Sequence, residues 1–238
     1  MRDYNDIMIA LDFPGGEEAL NFLDRMEIKG EKPFVKVGME LFYACGPDII
    51  REIKARGYRI FLDLKLHDIP NTVGSAMRVL AGLGVDMVNV HAAGGRKMME
   101  AARKGLDEGW VQAGAPGKKP YLIAVTMLTS IDKDTMNGQL LIPGEVEETV
   151  VSYARNAREA GLDGVVCSPM EAGTIHRSVG EDFLTVTPGI RLPGDSKGDQ
   201  KRVTTPGDAR KGGSDFMVIG RSITRAEDPS SAYERCLR

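Results

Sequence analysis

The sequence predicts an α/β protein that folds as a single (β/α)8 TIM barrel, and three observations lead to this fold class. Strand-like runs alternate with segments of helical periodicity along the whole chain. Eight such runs can be counted. The length of 238 residues is close to the roughly 250 that one such barrel needs. We therefore expect residues 1–238 to form one catalytic domain, with an open flavodoxin-like sheet as the alternative.

The predicted elements follow one another at regular intervals, and several helical segments end at a glycine. The predicted strands are residues 7–12, 34–37, 59–65, 87–91, 121–126, 164–167, 184–187 and 216–219. The predicted helices are residues 17–26, 47–56, 70–83, 96–109, 145–160 and 170–179. Strands joined by helices run parallel with right-handed crossovers, and eight units of this length close more naturally into a barrel than into an open sheet.

Two long connections interrupt the alternation of strands and helices. They cover residues 126–144 after the fifth strand and residues 188–205 after the seventh, and neither shows a periodicity of its own. In a barrel, the segments that follow strands lie at the catalytic end, and long connections there are often lids. Both connections are therefore expected to border an active site.

Composition limits the kinds of ligand and the cellular compartment that we expect for this protein. The chain has 31 basic and 34 acidic residues, which gives no electrostatic footprint for nucleic acid. No apolar run approaches the length of a membrane span, and the N-terminus has no signal-peptide pattern. The three cysteines, Cys45, Cys167 and Cys236, are far apart and fit a reducing compartment. These features predict a cytoplasmic protein whose ligand is a small molecule.

Charged residues are concentrated where three neighbouring predicted strands end. Asp63 and Lys65 are alternate residues of the third strand, so their side chains share one face. Asp12 closes the first strand, and Lys36 lies in the second. Two carboxylates and two ammonium groups would then surround one cavity, and Asp68 adds a fifth charge just beyond the third strand.

Ordinary ion pairs at a barrel end would also account for such charges, since ion-pair networks occur away from catalysis. Buried charges must nevertheless be paired and hydrogen-bonded, and alternating signs would satisfy every member of the set. Active sites of barrels lie at the carboxyl ends of the strands, so the set predicts an active site. The three histidines form no recognised metal-ligand spacing, and no metal site is predicted.

The motif Asp-x-Lys-x-x-Asp, here Asp63, Lys65 and Asp68, resembles the signature of the orotidine 5′-monophosphate decarboxylase family. The resemblance spans nearly the whole chain. It continues through Leu11-Asp12, Val35-Lys36-Val37-Gly38, Ile69-Pro70-Asn71-Thr72, Val90-His91-Ala92, Thr187-Pro188-Gly189-Ile190-Arg191 and Val218-Ile219-Gly220-Arg221-Ser222-Ile223-Thr224. It implies a cofactor-independent decarboxylation of orotidine 5′-phosphate to uridine 5′-phosphate (UMP), the last step of de novo pyrimidine biosynthesis.

The resemblance also implies roles for the charged residues. Lys65 would stabilise the carbanion that forms at C6 of the pyrimidine and then protonate this carbon. Asp63 would lie near the carboxylate that leaves, while Lys36 and Asp12 would hold the ribose hydroxyls and orient Lys65. The family resemblance further implies a homodimer in which Asp68 comes from the other subunit.

Further substrate-binding residues follow from the resemblance and from barrel chemistry. They are Ile69, Asn71, Thr72, Thr129, Pro188, Arg191, Gln200, Gly220 and Arg221. Thr72 would act across the dimer interface, and Gly220 with Arg221 would bind phosphate after the eighth strand. Four of these residues could instead serve local structure: a helix start at Asn71 and Thr72, an ordinary turn at Thr129, and a solvated loop at Gln200.

Two other functions are compatible with parts of this pattern. One is a magnesium-dependent sugar-phosphate decarboxylase or aldolase of the same superfamily, whose members carry a metal-binding carboxylate on the second strand. Lys36 argues against it, because an ammonium group at this position repels a divalent cation and replaces its charge. The other is a nucleotide-binding protein without catalytic activity. The presence of Lys65 and its charged neighbours argues against this alternative.

Overall fold

Eight parallel strands close into a barrel in the computed structural model, which describes residues 7–28, 30–115, 117–193 and 204–238. The strands pair in chain order, and the eighth returns to the first. They are β1 (Ile7–Ala10), β2 (Phe34–Gly38), β3 (Arg59–Leu66), β4 (Met87–His91), β5 (Tyr121–Val125), β6 (Gly164–Val166), β7 (Leu184–Thr187) and β8 (Phe216–Ile219). The predicted (β/α)8 fold is confirmed, and the open flavodoxin-like sheet is excluded.

Helices surround the barrel, and those predicted from the sequence are present within a few residues of the expected bounds. The helices are α1 (Gly16–Asp24), α2 (Met39–Cys45), α3 (Asp48–Ala55), α4 (Pro70–Ala81), α5 (Arg96–Gln112), α6 (Lys133–Gly138), α7 (Val146–Glu159), α8 (Ala172–Val179), α9 (Pro206–Lys211), α10 (Arg221–Thr224) and α11 (Pro229–Leu237). A 3-10 turn covers Ala92–Gly94. In the described ranges, no helix combines the length and the apolar character that a membrane span requires.

The connection after β5 is not the structureless loop that the sequence predicted. It contains α6, and the Asp132 carboxylate accepts a hydrogen bond from the Thr135 N–H at 2.9 Å to cap that helix. Six residues are too few for a hydrophobic period to emerge, so a local cap was the only signal of this helix. Within the connection after β7, residues 194–203 lie outside the described ranges.

Two apolar layers fix the position of the cavity. Alternate residues of β3 divide between them: Leu62 and Leu64 pack toward the helices, and Phe61 packs inside the barrel. Near the amino ends of the strands the rings of Phe34 and Phe216 meet edge to face, with centroids 5.7 Å apart. Side chains therefore fill the lower half of the barrel, and open space is left toward the carboxyl ends of the strands.

A Gly-x-Asp sequence before three of the strands links the amino ends of neighbouring strands by hydrogen bonds. Its aspartates, Asp86, Asp163 and Asp215, directly precede β4, β6 and β8. Their carboxylates accept hydrogen bonds from the backbone N–H groups of Ile60, Leu122 and Thr185 at 2.7, 2.7 and 2.8 Å. Their own N–H groups donate to the carbonyls of the same three residues, at 2.9, 2.8 and 3.2 Å. Each aspartate therefore closes a two-point clamp on the preceding strand.

This clamp predicts a stability defect at a site far from the cavity. Asp86→Ala removes the acceptor for the N–H of fully buried Ile60, and we expect the free energy of unfolding to fall by about 1–3 kcal/mol. The matched control is Asp48→Ala, because Asp48 forms an exposed ion pair with Arg51 and should change stability by less than about 1 kcal/mol. Urea unfolding curves measure both. Equal midpoints for Asp86→Ala and the parent protein would contradict the clamp.

Candidate active site

A cavity of about 1000 Å³ lies at the carboxyl ends of the strands. Nine of the residues that the sequence singled out line it. They are Asp12, Lys36, Asp63, Lys65, Thr129, Pro188, Arg191, Gly220 and Arg221. These residues come from β2 and β3 and from the segments that follow β1, β5, β7 and β8, so the barrel gathers them from most of its circumference.

Four charged side chains form a continuous series on the β1–β3 side of this cavity, here called the charge array. The Lys36 Nζ lies 2.8 Å from the Asp12 Oδ1 and 3.7 Å from the Asp63 Oδ2. The Lys65 Nζ lies 2.8 Å from the Asp63 Oδ1. Negative and positive groups alternate along the series, so each charge has a neighbour of opposite sign.

Asp63 is the centre of the array, and its surroundings keep it ionised. Burial by itself would raise the pKa of Asp63, but the positive charges of Lys36 and Lys65 act in the opposite direction. Hydrogen bonds from Lys65 and from the Asn89 side chain act in the same direction, so the pKa of Asp63 lies below the ordinary aspartate value. Asp63 is therefore a carboxylate at neutral pH although only 8% of the residue is exposed.

The backbone of β3 is irregular where it carries Lys65. Leu62 pairs with Val88 and Leu66 pairs with Val90, so four residue steps on β3 span two steps on β4. Lys65 lies inside this bulge with a φ of 54°, a conformation that costs a residue other than glycine about 1–2 kcal/mol. The Asp63 and Lys65 side chains both line the cavity.

Asn89 holds this bulge, and the sequence interpretation missed it. Its side-chain oxygen accepts a hydrogen bond from the Lys65 N–H at 2.8 Å, and its side-chain nitrogen donates to the Asp63 Oδ1 at 2.7 Å. The residue is 1% exposed. A lone amide in the apolar strand Met-Val-Asn-Val-His was the available signal, because a buried polar group requires partners.

Gly38 is a second residue that the sequence interpretation did not use. It ends β2 opposite Asp63 in the strand pairing. A Cβ atom at this position would lie 3.0 Å from the Lys36 Nζ and 3.7 Å from the Asp12 Oδ1. The missing side chain therefore leaves the space that the Lys36 ammonium occupies.

The side of the cavity near β7 and β8 is rich in guanidinium groups, and it adjoins the charge array because β8 pairs with β1. Arg191 and Arg221 line it as expected, and Arg225 joins them without having been predicted. Arg191 is 8% exposed, and its Nη1 donates to the Ile190 carbonyl at 2.8 Å. Gly220 immediately precedes α10 and lines the cavity at the same side. The side of the cavity near β7 and β8 can therefore bind an anion.

Apolar side chains and one short loop form most of the rest of the cavity lining. The apolar residues that line the cavity are Ala10, Phe13, Phe61, Val125, Met127, Leu128, Val166 and Val218. Thr129 and Ser130 add hydroxyl groups from the segment after β5. The cavity can therefore hold a flat, partly apolar ring between the charge array and the guanidinium groups.

Four of the predicted site residues lie outside the cavity of this chain. Asp68, Ile69, Asn71 and Thr72 are exposed on the surface that follows β3, and Ile69 is 66% exposed. The Asp68 carboxylate accepts a hydrogen bond from the Ile69 N–H at 2.6 Å. A fifth, Gln200, lies outside the described residues.

Two histidines flank the array. The ring centroids of His67 and His91 are 5.5 Å apart. Burial, followed by the positive charges of His67 and Lys65, lowers the pKa of His91. Across the described ranges, no cluster of three or more histidine, cysteine, aspartate or glutamate side chains is arranged to hold a metal ion.

Comparison with known proteins finds similarity to one family of enzymes. Residues 5–236 match the model of the orotidine 5′-phosphate decarboxylase / HUMPS family. The orotidine 5′-phosphate decarboxylase of Bacillus licheniformis is 58% identical, with 96% of this chain and 93% of that protein aligned. The enzyme of the same name from Streptococcus mutans is 55% identical, with 95% and 94% aligned.

Solved structures of similar sequence have the same fold. The crystal structure of orotidine 5′-phosphate decarboxylase from Lactobacillus acidophilus superimposes with a TM-score of 0.84 at 43% identity, covering 97% of this chain and 96% of that one. A conserved protein from Geobacillus kaustophilus has the same TM-score at 49% identity, covering 97% of both chains. The chain belongs to the orotidine 5′-phosphate decarboxylase / HUMPS family.

Proposed function

We propose that this protein is a carboxy-lyase that converts orotidine 5′-phosphate to UMP in pyrimidine biosynthesis. The observation that carries the proposal is the charge array, in which the Lys65 ammonium lies 2.8 Å from a buried carboxylate at the cavity wall. The guanidinium groups that line the cavity near β7 and β8 suit the phosphate of such a substrate. Relatives named for this activity share more than half of the aligned residues.

Lys65 supplies the chemistry. When the bond between C6 and the carboxylate breaks, CO2 departs and an electron pair stays on C6 in the plane of the ring, where no π system delocalises it. A fixed ammonium group stabilises this charge as it develops. The Lys65 Nζ then donates a proton to C6, which gives UMP, and the neutral amine regains a proton from solvent.

The neighbours of Lys65 prepare it for this role. Asp63 stays ionised because Lys36 and Lys65 lower its pKa, so it holds the Lys65 ammonium in place before the substrate arrives. Asp63 also repels the substrate carboxylate, and departure of CO2 relieves this repulsion. Lys36 and Asp12 form the outer part of the array and bind the ribose hydroxyls.

The other half of the cavity binds the phosphate and the base. Arg191, Arg221 and the backbone at Gly220 hold the phosphate, at the end of a barrel where such sites are common. Thr129 contacts the polar edge of the pyrimidine, and Pro188 borders the ligand. Gln200 is proposed to approach the ligand from the segment after β7.

We propose a homodimer whose active sites are shared between subunits. Asp68, Ile69, Asn71 and Thr72 are exposed beside β3 and outside the cavity of their own chain, which leaves them available to a partner. Asp68 and Thr72 then complete the partner's site, and exposed Ile69 gains a contact. Each chain acts as one catalytic domain over residues 1–238 and works in the cytoplasm, as its cysteine content suggests.

The central prediction concerns Lys65. Lys65→Ala removes both the charge that stabilises the carbanion and the proton donor, so kcat on orotidine 5′-phosphate should fall by at least about 10⁴-fold. Absorbance loss of the orotate ring measures turnover, and the control is Lys104→Ala, whose side chain is 78% exposed. The assay is run in EDTA, where the parent protein should keep full activity. Loss of parent activity in EDTA would favour the magnesium-dependent alternative, and binding without any turnover would favour a nucleotide-binding protein.

Shared active sites predict that two inactive variants restore one another. Lys65→Ala and Asp68→Ala are purified separately, mixed under conditions that exchange subunits, and assayed. A mixed dimer has one site with both Lys65 and the partner's Asp68 intact, so random exchange should restore about a quarter of parent activity. Activity that stays at the sum of the two variants would show that Asp68 serves its own chain. Sedimentation of the mixture verifies that dimers are present.

A further inference from the structure

We infer that Asn89 is a positioning residue that sets the conformation of Lys65, an inference that rests on the proposed decarboxylation. The side chain of Asn89 spans the β3 bulge and contacts both sides of it, the Lys65 N–H at 2.8 Å and the Asp63 carboxylate at 2.7 Å. It thereby connects the backbone that carries the ammonium group to the anion that holds it.

The pairing of β3 with β4 shows why a polar side chain is needed at Asn89. Between the Leu62–Val88 pair and the Leu66–Val90 pair, β3 has three intervening residues and β4 has one, which is Asn89. Regular ladder hydrogen bonds cannot serve both strands across such a mismatch. The Asn89 oxygen supplies the acceptor for the Lys65 N–H that the ladder would otherwise provide.

Backbone strain at Lys65 explains why the hydrogen bond to Asn89 is needed. The φ of 54° is unfavourable for lysine and persists only where its surroundings enforce it. A hydrogen bond from the Lys65 N–H to a fully buried amide fixes the peptide in this orientation. Without this hydrogen bond, the bulge can relax, and the Lys65 side chain would lose its orientation at the cavity wall.

The chemistry of the position requires an amide. One end of the side chain must accept from an N–H group, and the other must donate to the carboxylate of Asp63. An ionised carboxylate in place of the amide would repel Asp63, and an apolar side chain would leave the Lys65 N–H without its acceptor and remove one of the hydrogen bonds to Asp63. A protonated carboxyl group, in contrast, provides a donor and an acceptor with nearly the shape of the amide.

The first test is Asn89→Ala. We expect kcat to fall by about 100-fold with the Kd for UMP changed by less than about threefold, since displacement of a catalytic group slows chemistry more than it weakens product binding. The matched control is Thr185→Val, which alters another fully buried polar strand residue at the amino end of the barrel. A kcat within about threefold of the parent, or an equal loss of kcat and UMP affinity, would overturn the inference.

The second test uses Asn89→Asp, which is nearly isosteric and guards against a folding failure of the alanine variant. The new carboxyl would contact the Asp63 carboxylate and the Lys65 N–H. The charged series continues from Asp63 to the Lys65 and Lys36 ammonium groups and to Asp12, with His91 on β4 near Asp63 and Lys65. Burial beside Asp63 should raise the pKa of the new carboxyl. Its protonated form restores both hydrogen bonds, so kcat relative to the parent should rise as pH is lowered from roughly 9 to roughly 5. A ratio that does not change with pH would contradict the donor role of the amide.

Amide hydrogen exchange separates this inference from the proposed function. Exchange of the Lys65 N–H should be at least about tenfold faster in Asn89→Ala than in the parent, whether or not the protein decarboxylates anything. Should the parent fail to turn over orotidine 5′-phosphate, the proposed function is overturned while faster exchange still supports the positioning role. Unchanged exchange of the Lys65 N–H overturns that role in either case.

Discussion

Alternating charge across three neighbouring strands is the constraint on which the rest of the site depends. Asp12, Lys36, Asp63 and Lys65 form one series, and Asp63 is buried between two ammonium groups. Removing Asp63 would leave the partly buried Lys65 ammonium without its carboxylate partner, and removing Lys36 would take one of two cations from buried Asp63, so either change is costly. The array therefore depends on its inner members, and the local structure of β2 and β3 preserves it.

Local features that look unrelated serve this array. Gly38 lacks the Cβ that would crowd the Lys36 ammonium, and the bulge in β3 carries Lys65, whose side chain lines the cavity with that of Asp63. Asn89 satisfies the backbone that the bulge leaves unpaired. Near β7 and β8, Arg191 and Arg221 supply positive charge for an anionic group. A ligand with a phosphate at one end and a reacting carbon at the other would meet both sets at once, which links the barrel to the proposed decarboxylation.

Sequence patterns predicted the barrel and the core of the site because both depend on short-range regularities. Alternation along β3 placed Asp63 and Lys65 on one face, and regular spacing identified all eight strands. The β3 bulge was not predictable, since a register shift depends on two strands that are distant in sequence. Asn89 was missed for the same reason, and α6 because it is too short to show a period. Strand order alone also could not show that Asp68 lies outside the cavity of its own chain.

The most direct measurement of the array's central role is the ionisation of Asp63 in the free protein, followed by NMR through its carboxyl carbon. Two flanking ammonium groups should hold its pKa below the ordinary value of about 3.9, so the carboxylate signal persists as pH falls through that value and the array disassembles only in stronger acid. A pKa above the ordinary value would mean that burial dominates over Lys36 and Lys65. Asp63 would then not be held as an anion by the array, and the central role given to the array would be wrong.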